Sequence, residues 1–352
     1  MRLLIYKFLV LAALVGGVAL GGFWLDYRSF MQTPLNVGPK GLDYVVPSGS
    51  NLTRIARDLE QRGVLDRPRY LVWHARLHGN ANLLKTGEYH IASDTAPEQL
   101  LGQFVRGQVI QYALTIVEGW NFRQVMDAVQ SSEYLEHQLA GLDDAAVMAR
   151  LGRSDVHPEG RFLPDTYHFP RGTSDVEFLQ RAYAAMESEL AAAWEDRAAG
   201  LPLKTPEEVL IMASIVEKET GLASERGAIA GVFVRRLMKN MRLQSDPTVI
   251  YGMGDAYQGN IRRRDLQTDT PYNTYRRRGL PPTPIAMPGR DAIRATANPK
   301  EGNALYFVSR GDGSHYFSAT LEEHNEAVIK YQLKGRKKSF SSFDAKKDAA
   351  KQ

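Results

Sequence analysis

Cysteine is absent from the 352 residues, which excludes disulfides, thiolate metal sites and cysteine nucleophiles. A strong charge of one sign is missing too, since 44 Lys and Arg stand against 40 Asp and Glu for a net charge of +4. Much of that excess sits at the end of the chain, in KGRKKSFSSFDAKKDAAKQ (334–352), which is poor in large apolar residues. It has the composition of a disordered tail, set at 333–352. No aromatic or Gly-rich face accompanies it, so no nucleic-acid partner is expected. Histidine is sparse, and His315 and His324 lack the further His or Cys set that a zinc site needs. No metal and no cofactor are expected.

One long apolar run is present. FLVLAALVGGVALGGFWL (8–25) carries no charge and follows Arg2 and Lys7. At ~1.5 Å per residue it nearly spans a bilayer core. The positive-inside rule leaves a short cytoplasmic stub and exports the rest. A cleaved signal peptide is the competing reading. It wants a small-x-small site after the run, where Phe23, Trp24 and Leu25 stand instead. Those three suit an interfacial anchor, so residues 1–26 are taken as stub and transmembrane helix.

The exported part is expected to be α+β. Residues 27–41, with Pro34, Gly38, Pro39 and Gly41, have linker composition. In 42–93 a strand around Asp43–Pro47 precedes two amphipathic helices, the first stopped by Gly63, and a returning strand at Thr86–Ile91. This order resembles LysM, a small glycan-binding domain. An adaptor and helical segment fills 94–154. The last region, 155–332, is rich in Pro, Gly, Asn and Tyr along irregular connections, a composition suited to a groove for an extended polar ligand.

Within that region IMASIVEKETG (211–221) holds two acids in an apolar stretch. Thr205 is a suitable N-cap, Pro206 suits the first turn and Gly221 the stop. With Glu219 at zero phase, Met212, Ile215, Val216 and Val209 fall at about +20°, −40°, +60° and +80°. Glu219 thus lies on the apolar stripe, whereas Glu217 falls near about 160°, beside Leu210 and Ser214. Burial and the helix C-terminus both disfavour a carboxylate at Glu219, keeping it protonated as a general acid must be. Glu217 is expected to be solvated or paired with a base. The plain alternative for Glu219 is a frayed helix end or neutralisation by an arginine.

Six stretches then carry a resemblance: EGRFLPDTYHF (159–169), ASIVEKET (213–220), MRLQSDPTVIYGMG (241–254), PYNTY (271–275), GLPPTPI (279–285) and GSHYFSATLEEHN (313–325). In this order they resemble the endolytic murein transglycosylases, the MltG or YceG-like family. The resemblance implies a lysozyme-like transglycosylase catalytic domain that cuts peptidoglycan strands internally, between N-acetylmuramic acid and N-acetylglucosamine. It implies 1,6-anhydro ends, termination of strand elongation, and a single-pass protein of the inner membrane with its catalytic part in the periplasm. Penicillin-binding peptidoglycan synthases are the protein partners it suggests. The related enzymes carry one catalytic glutamate at a helix end followed by Ser or Thr, which Glu219–Thr220 matches and Glu217–Lys218 does not. Substrate contacts are then expected from Glu159, Asp165, Gln244, Asp246, Thr248, Tyr272, Asn273 and Tyr275. Two departures stand out: Arg235 replaces the family's usual Asn before Arg236–Leu237, and Thr283 stands where glycine is common.

Other classes remain open at this level. One is an anchored wall-binding scaffold without turnover, and another is a hydrolase pairing Glu219 with Glu217 or Asp246.

Overall fold

In the computed structural model, which describes residues 2–47 and 49–333, the uncharged run lies in one continuous helix, α1 (Arg2–Gln32). It is long and apolar enough to cross a membrane. From Phe8 to Leu25 its large side chains are exposed, as a helix that is apolar all round is when nothing covers it. The helix outlasts the run, and this alters the expected 27–41 linker. Tyr27, Phe30 and Met31 follow one another at helical spacing, and Met31 and Leu35 join a folded core. Burial of that stripe carries the helix through the first part of the expected linker. The basic tail from Lys334 lies outside the described residues.

The chain divides into two units, the first built from residues up to Ala113 with Tyr134–Glu136 and His168–Thr173. After α1 come β1 (Leu42–Val46), α2 (Leu52–Gln61), α3 (Pro68–Leu77), β2 (Gly87–Ile91) and α4 (Pro97–Arg106). β1 and β2 pair antiparallel, from Leu42 opposite Ile91 to Val46 opposite Gly87. Alternation puts Tyr44, Val46, Tyr89 and Ile91 on the buried face. Against them pack Leu52, Ile55, Ala56 and Leu59 of α2 and Leu71 and Ala75 of α3. Asn51 caps α2 by accepting from the Arg54 N–H, and Gly63 lies just past its end at φ +73°. Leu100, Leu101 and Phe104 of α4 complete this core. The segment expected as adaptor therefore does not stand apart: α4 is in the first unit, and the residues from Leu114 onward are largely in the second.

Next along the chain are β3 (Tyr112–Ile116), α5 (Phe122–Gln130), β4 (Leu135–Glu136), α6 (Asp144–Arg150), β5 (Asp165–Phe169) and β6 (Thr173–Ser174). β3 pairs with β5 and β4 with β6. The second unit continues with α7 (Asp175–Glu195), α8 (Pro206–Glu219), α9 (Ala223–Met238), α10 (Asp246–Met253), α11 (Arg263–Gln267) and α12 (Arg290–Ala297). The hairpin β7 (Tyr306–Ser309) and β8 (His315–Ser318) and then α13 (Leu321–Tyr331) close it.

α8 is the central helix. Every residue from Val209 to Val216 is buried, with α7, α9, α10 and α12 packed around it. Met186, Ile229, Phe233, Leu243 and Ile293 fill the same core as Met212, Ile215 and Val216. Each such side chain contributes about 1.5–3 kcal/mol of apolar burial. Gly231 allows α9 its close approach, since a Cβ there would sit 2.5 Å from the Lys300 carbonyl. An alanine at 231 would push the two segments apart.

Candidate active site

α8 starts as its sequence suggests, with the Thr205 hydroxyl accepting from the Glu208 N–H and Pro206 in the first turn. It stops at Glu219 because Thr220 is extended, at φ −148° and ψ 134°. Glu219 is thereby set at the C-terminal end, partly exposed, next to the buried residues that precede it. The Ser245 hydroxyl donates to its Oε1 at 2.5 Å. Burial pushes the Glu219 carboxyl up to about 7; the Ser245 bond opposes that rise and the charge of Asp246 adds to it.

Ser245 occupies the N-cap position of α10 yet makes no capping bond. A serine there normally accepts from the helix, worth ~1 kcal/mol, and here its hydroxyl serves Glu219 instead. The backbone around it is held firmly. Gln244 has φ +54°, a left-handed conformation rare outside glycine. Its N–H donates to the Thr274 carbonyl at 3.2 Å, and the Ser245 N–H donates to Thr274 Oγ1 at 3.0 Å. The buried Arg236 guanidinium donates to the carbonyls of Leu243 at 2.6 Å and Leu305 at 2.7 Å.

The expected contact residues separate into three groups. Gln244, Asp246 and Tyr275 gather at Ser245, and the Tyr275 hydroxyl donates to Asp246 Oδ1 at 2.6 Å. Thr248 and Asn273 support this loop from inside. Thr248 is fully buried, with its hydroxyl on the Ser245 carbonyl and on Thr274. The Asn273 amide donates to the carbonyls of Asp265, Leu266 and Thr268 and accepts from the Tyr275 N–H. Neither has a polar atom left to face a ligand.

A second group surrounds Glu159, which is 3% exposed. Its carboxylate accepts from the Phe122 N–H and from the Tyr251 hydroxyl, both at 3.1 Å. Burial nevertheless pushes it up to about 7, against those bonds. Tyr272 packs edge-on against Tyr251 and shares a hydrogen bond with Thr283 at 2.8 Å. Thr283, the residue in place of glycine, thus has a partner of its own. Asp165 belongs to a third group, an exposed chain in which Arg290 bridges it to Glu189.

The structure amends the expectation for Glu217. Phase placed it away from the apolar stripe, but α8 is buried all round, so the opposite face is not solvent. Its side chain is 6% exposed and faces Arg226 at 3.3 Å, while its other oxygen accepts from the Gly289 N–H at 3.0 Å. Arg226 also meets Glu118 and Asp291. Of the two outcomes expected for Glu217, pairing with a base is the one found. Arg235 donates to the carbonyls of Ala304 and Lys300, tying α9 to the loop before β7.

Sequence reasoning passed over Ser245, Arg236, Arg226 and Tyr251. The signal for Ser245 was available, since it lies between Gln244 and Asp246 in the MRLQSDPTVIYGMG motif. Arg226 lies outside all six motifs.

The YceG-like family profile matches residues 44–330. An endolytic murein transglycosylase of Bacillus subtilis (strain 168) is 29% identical over 329 residues, 89% of this chain and 91% of that protein. One from Streptococcus pneumoniae is 28% identical over 93% of this chain, which spans 65% of that longer relative. A crystal structure of a yceG-like protein from Listeria monocytogenes superposes with a TM-score of 0.51 at 29% identity, covering 82% of this chain and 100% of that one.

Proposed function

This chain belongs to the YceG-like family, and from that premise we propose that it is an endolytic peptidoglycan lytic transglycosylase with Glu219 as its acid and base. The observation that carries the assignment is the Glu219 carboxyl, set at a helix end and pushed up to about 7 by burial. Such a group holds a proton near neutral pH and still gives it up readily.

Protonated Glu219 donates to the glycosidic oxygen between N-acetylmuramic acid and N-acetylglucosamine. The C1–O bond breaks and the leaving sugar departs as an alcohol. The carboxylate then takes the proton from the muramic acid 6-hydroxyl, whose oxygen attacks C1 and closes a 1,6-anhydro ring. The proton balance returns Glu219 to its starting state, and no water is consumed. During the step, positive charge develops at the sugar ring. Asp246, beside Ser245 and adding to the rise at Glu219, is a suitable counter-charge. Tyr275 orients Asp246, and Gln244 holds the strained turn that precedes Ser245.

Residues 155–332 are taken as the catalytic domain, lysozyme-like in carrying its acid at the end of a buried helix. The strand-helix-helix-strand order of 42–93 supports a LysM-like reading of that segment. α1 supports a single-pass anchor, and the family resemblance supports an inner-membrane location with the catalytic part in the periplasm. The family resemblance supports work beside penicillin-binding synthases.

Mass spectrometry of peptidoglycan treated with wild type and with Glu219→Gln tests the reading. The expected result is 1,6-anhydro ends from the wild type and none from the variant. Hydrolysed reducing ends would make the protein a muramidase, and an absence of cleavage products would make it an anchored wall-binding scaffold.

A further inference from the structure

α3 presents to solvent a face that a soluble domain has no use for. Arg69, Trp73, Arg76 and Leu77 recur at helical spacing and are all exposed, with Trp73 at 42% and Leu77 at 61%. Leu71 and Ala75, on the other side of the helix, are fully buried. Large apolar side chains flanked by arginines on one helix face are the composition of a helix lying in a membrane interface.

The position of this face is fixed by α1. Trp73 packs edge-on against Phe23 at 5.9 Å and Tyr27 at 5.0 Å, and Tyr70 against Phe23 at 5.6 Å. Asp26, the first charge after the apolar run, accepts from the Tyr70 hydroxyl at 2.9 Å and pairs with Arg67. α3 therefore meets α1 where the lipid-compatible run ends, at the depth of Phe23, Trp24 and Leu25, which are themselves exposed. The Trp73–Leu77 face continues the surface of the anchor sideways, and its two exposed arginines match anionic headgroups.

We propose that the α3 face carrying Arg69, Trp73, Arg76 and Leu77 docks into the headgroup region of an anionic phospholipid bilayer, seating the first unit on the membrane. This rests on α1 being a membrane anchor. The docking adds what one helix alone lacks, a second lateral contact that stops the unit from swivelling.

The absence of cysteine makes single-site labelling clean. The full-length chain carrying Leu77→Cys or Val18→Cys, each labelled with an environment-sensitive fluorophore, is reconstituted in phosphatidylglycerol–phosphatidylethanolamine vesicles. Emission is then measured with acyl-chain spin-labelled lipid, headgroup spin-labelled lipid and aqueous iodide. The Val18 label should be quenched from the acyl chains. The Leu77 label should be blue-shifted, quenched from the headgroups and protected from iodide. Arg69→Gln with Arg76→Gln, or vesicles without anionic lipid, should weaken that protection, each arginine favouring the anionic surface roughly fivefold. A lipid-quenched Val18 label beside an iodide-accessible Leu77 label overturns the docking alone. A Val18 label untouched by acyl-chain quencher overturns the anchor and the docking with it. Shielding of Leu77 from both iodide and lipid would identify a protein surface there and also overturn the proposal.

Discussion

Glu217 and Glu219 leave the same last turn of α8, and burial raises both carboxyls above the ordinary range, yet they meet opposite partners. Glu217 faces the Arg226 guanidinium and the Gly289 N–H, groups that favour its charge. Glu219 hydrogen-bonds a neutral serine hydroxyl, while Asp246 and the buried Arg236 act on it through their charges in opposite directions. Burial pushes both upward. The partner decides whether the result is a structural ion pair or a proton donor.

The largest effect is expected at Glu219. Glu219→Gln should lower glycan cleavage about 10³-fold, the scale of general acid–base catalysis. The same change should stabilise the protein at alkaline pH. A carboxyl raised from 4.5 to about 7 keeps its proton in the native state where the unfolded chain releases it. Its contribution is therefore complete below pH 4.5 and lost as pH rises to about 7. Glutamine removes that loss, worth up to about 3 kcal/mol at pH 8. Thermal unfolding at pH 4.5 and pH 8 checks this: a variant Tm gain that does not grow with pH would break the contrast.

Glu217→Gln should do the reverse, costing about 2 kcal/mol of stability because Arg226 is left with a buried, weaker partner. Cleavage should persist with its alkaline limit unmoved. A shifted limit in Glu217→Gln, with none in Glu219→Gln, would exchange the two roles.

Ser245→Ala sharpens the comparison further. The serine hydroxyl favours the ionised form of Glu219, so its loss should raise that carboxyl still higher. The alkaline limb of the cleavage profile should move up by about one pH unit, equivalent to one charge-assisted hydrogen bond. α10 should keep its stability, since Ser245 does not cap it. An unchanged limb would detach Ser245 from the acid.

Much of this was legible from residue order, and the limits have physical causes. The β1–α2–α3–β2 order came from alternation, helical spacing and Gly63, all local signals. Both ends of α8 were equally local, the start set by Thr205 and Pro206 and the stop by the residues that follow Glu219. Helical phase separated the two glutamates but misjudged the environment of Glu217. Phase describes one helix, whereas α9 and α12 close the far side of α8 through contacts distant in sequence. Arg226 lies 108 residues from its partner Glu118, and nothing local announces that meeting. The extension of α1 into the first core was hidden similarly, because Pro34 and the nearby glycines suggested a linker while Tyr27, Phe30 and Met31 already kept helical spacing.

The smallest effect is expected at Glu159, a third raised carboxyl that tests whether burial alone makes an acid catalyst. Its partners are the Phe122 N–H and the Tyr251 hydroxyl, and it is sealed from solvent. Tyr251→Phe removes the bond that steadies the ionised form, so the cost should appear at pH 8, at about 1 kcal/mol. It should shrink as pH falls below about 7, where the Glu159 carboxyl takes up a proton. Cleavage should fall only a few-fold, with the alkaline limb still set by Glu219. Loss of cleavage as severe as in Glu219→Gln, in a variant that still folds, would instead place the Glu159 side of the domain within the catalytic machinery. Retention of both activity and limb would leave solvent access, which Glu219 has and Glu159 lacks, as the property separating a buried acid from a working one.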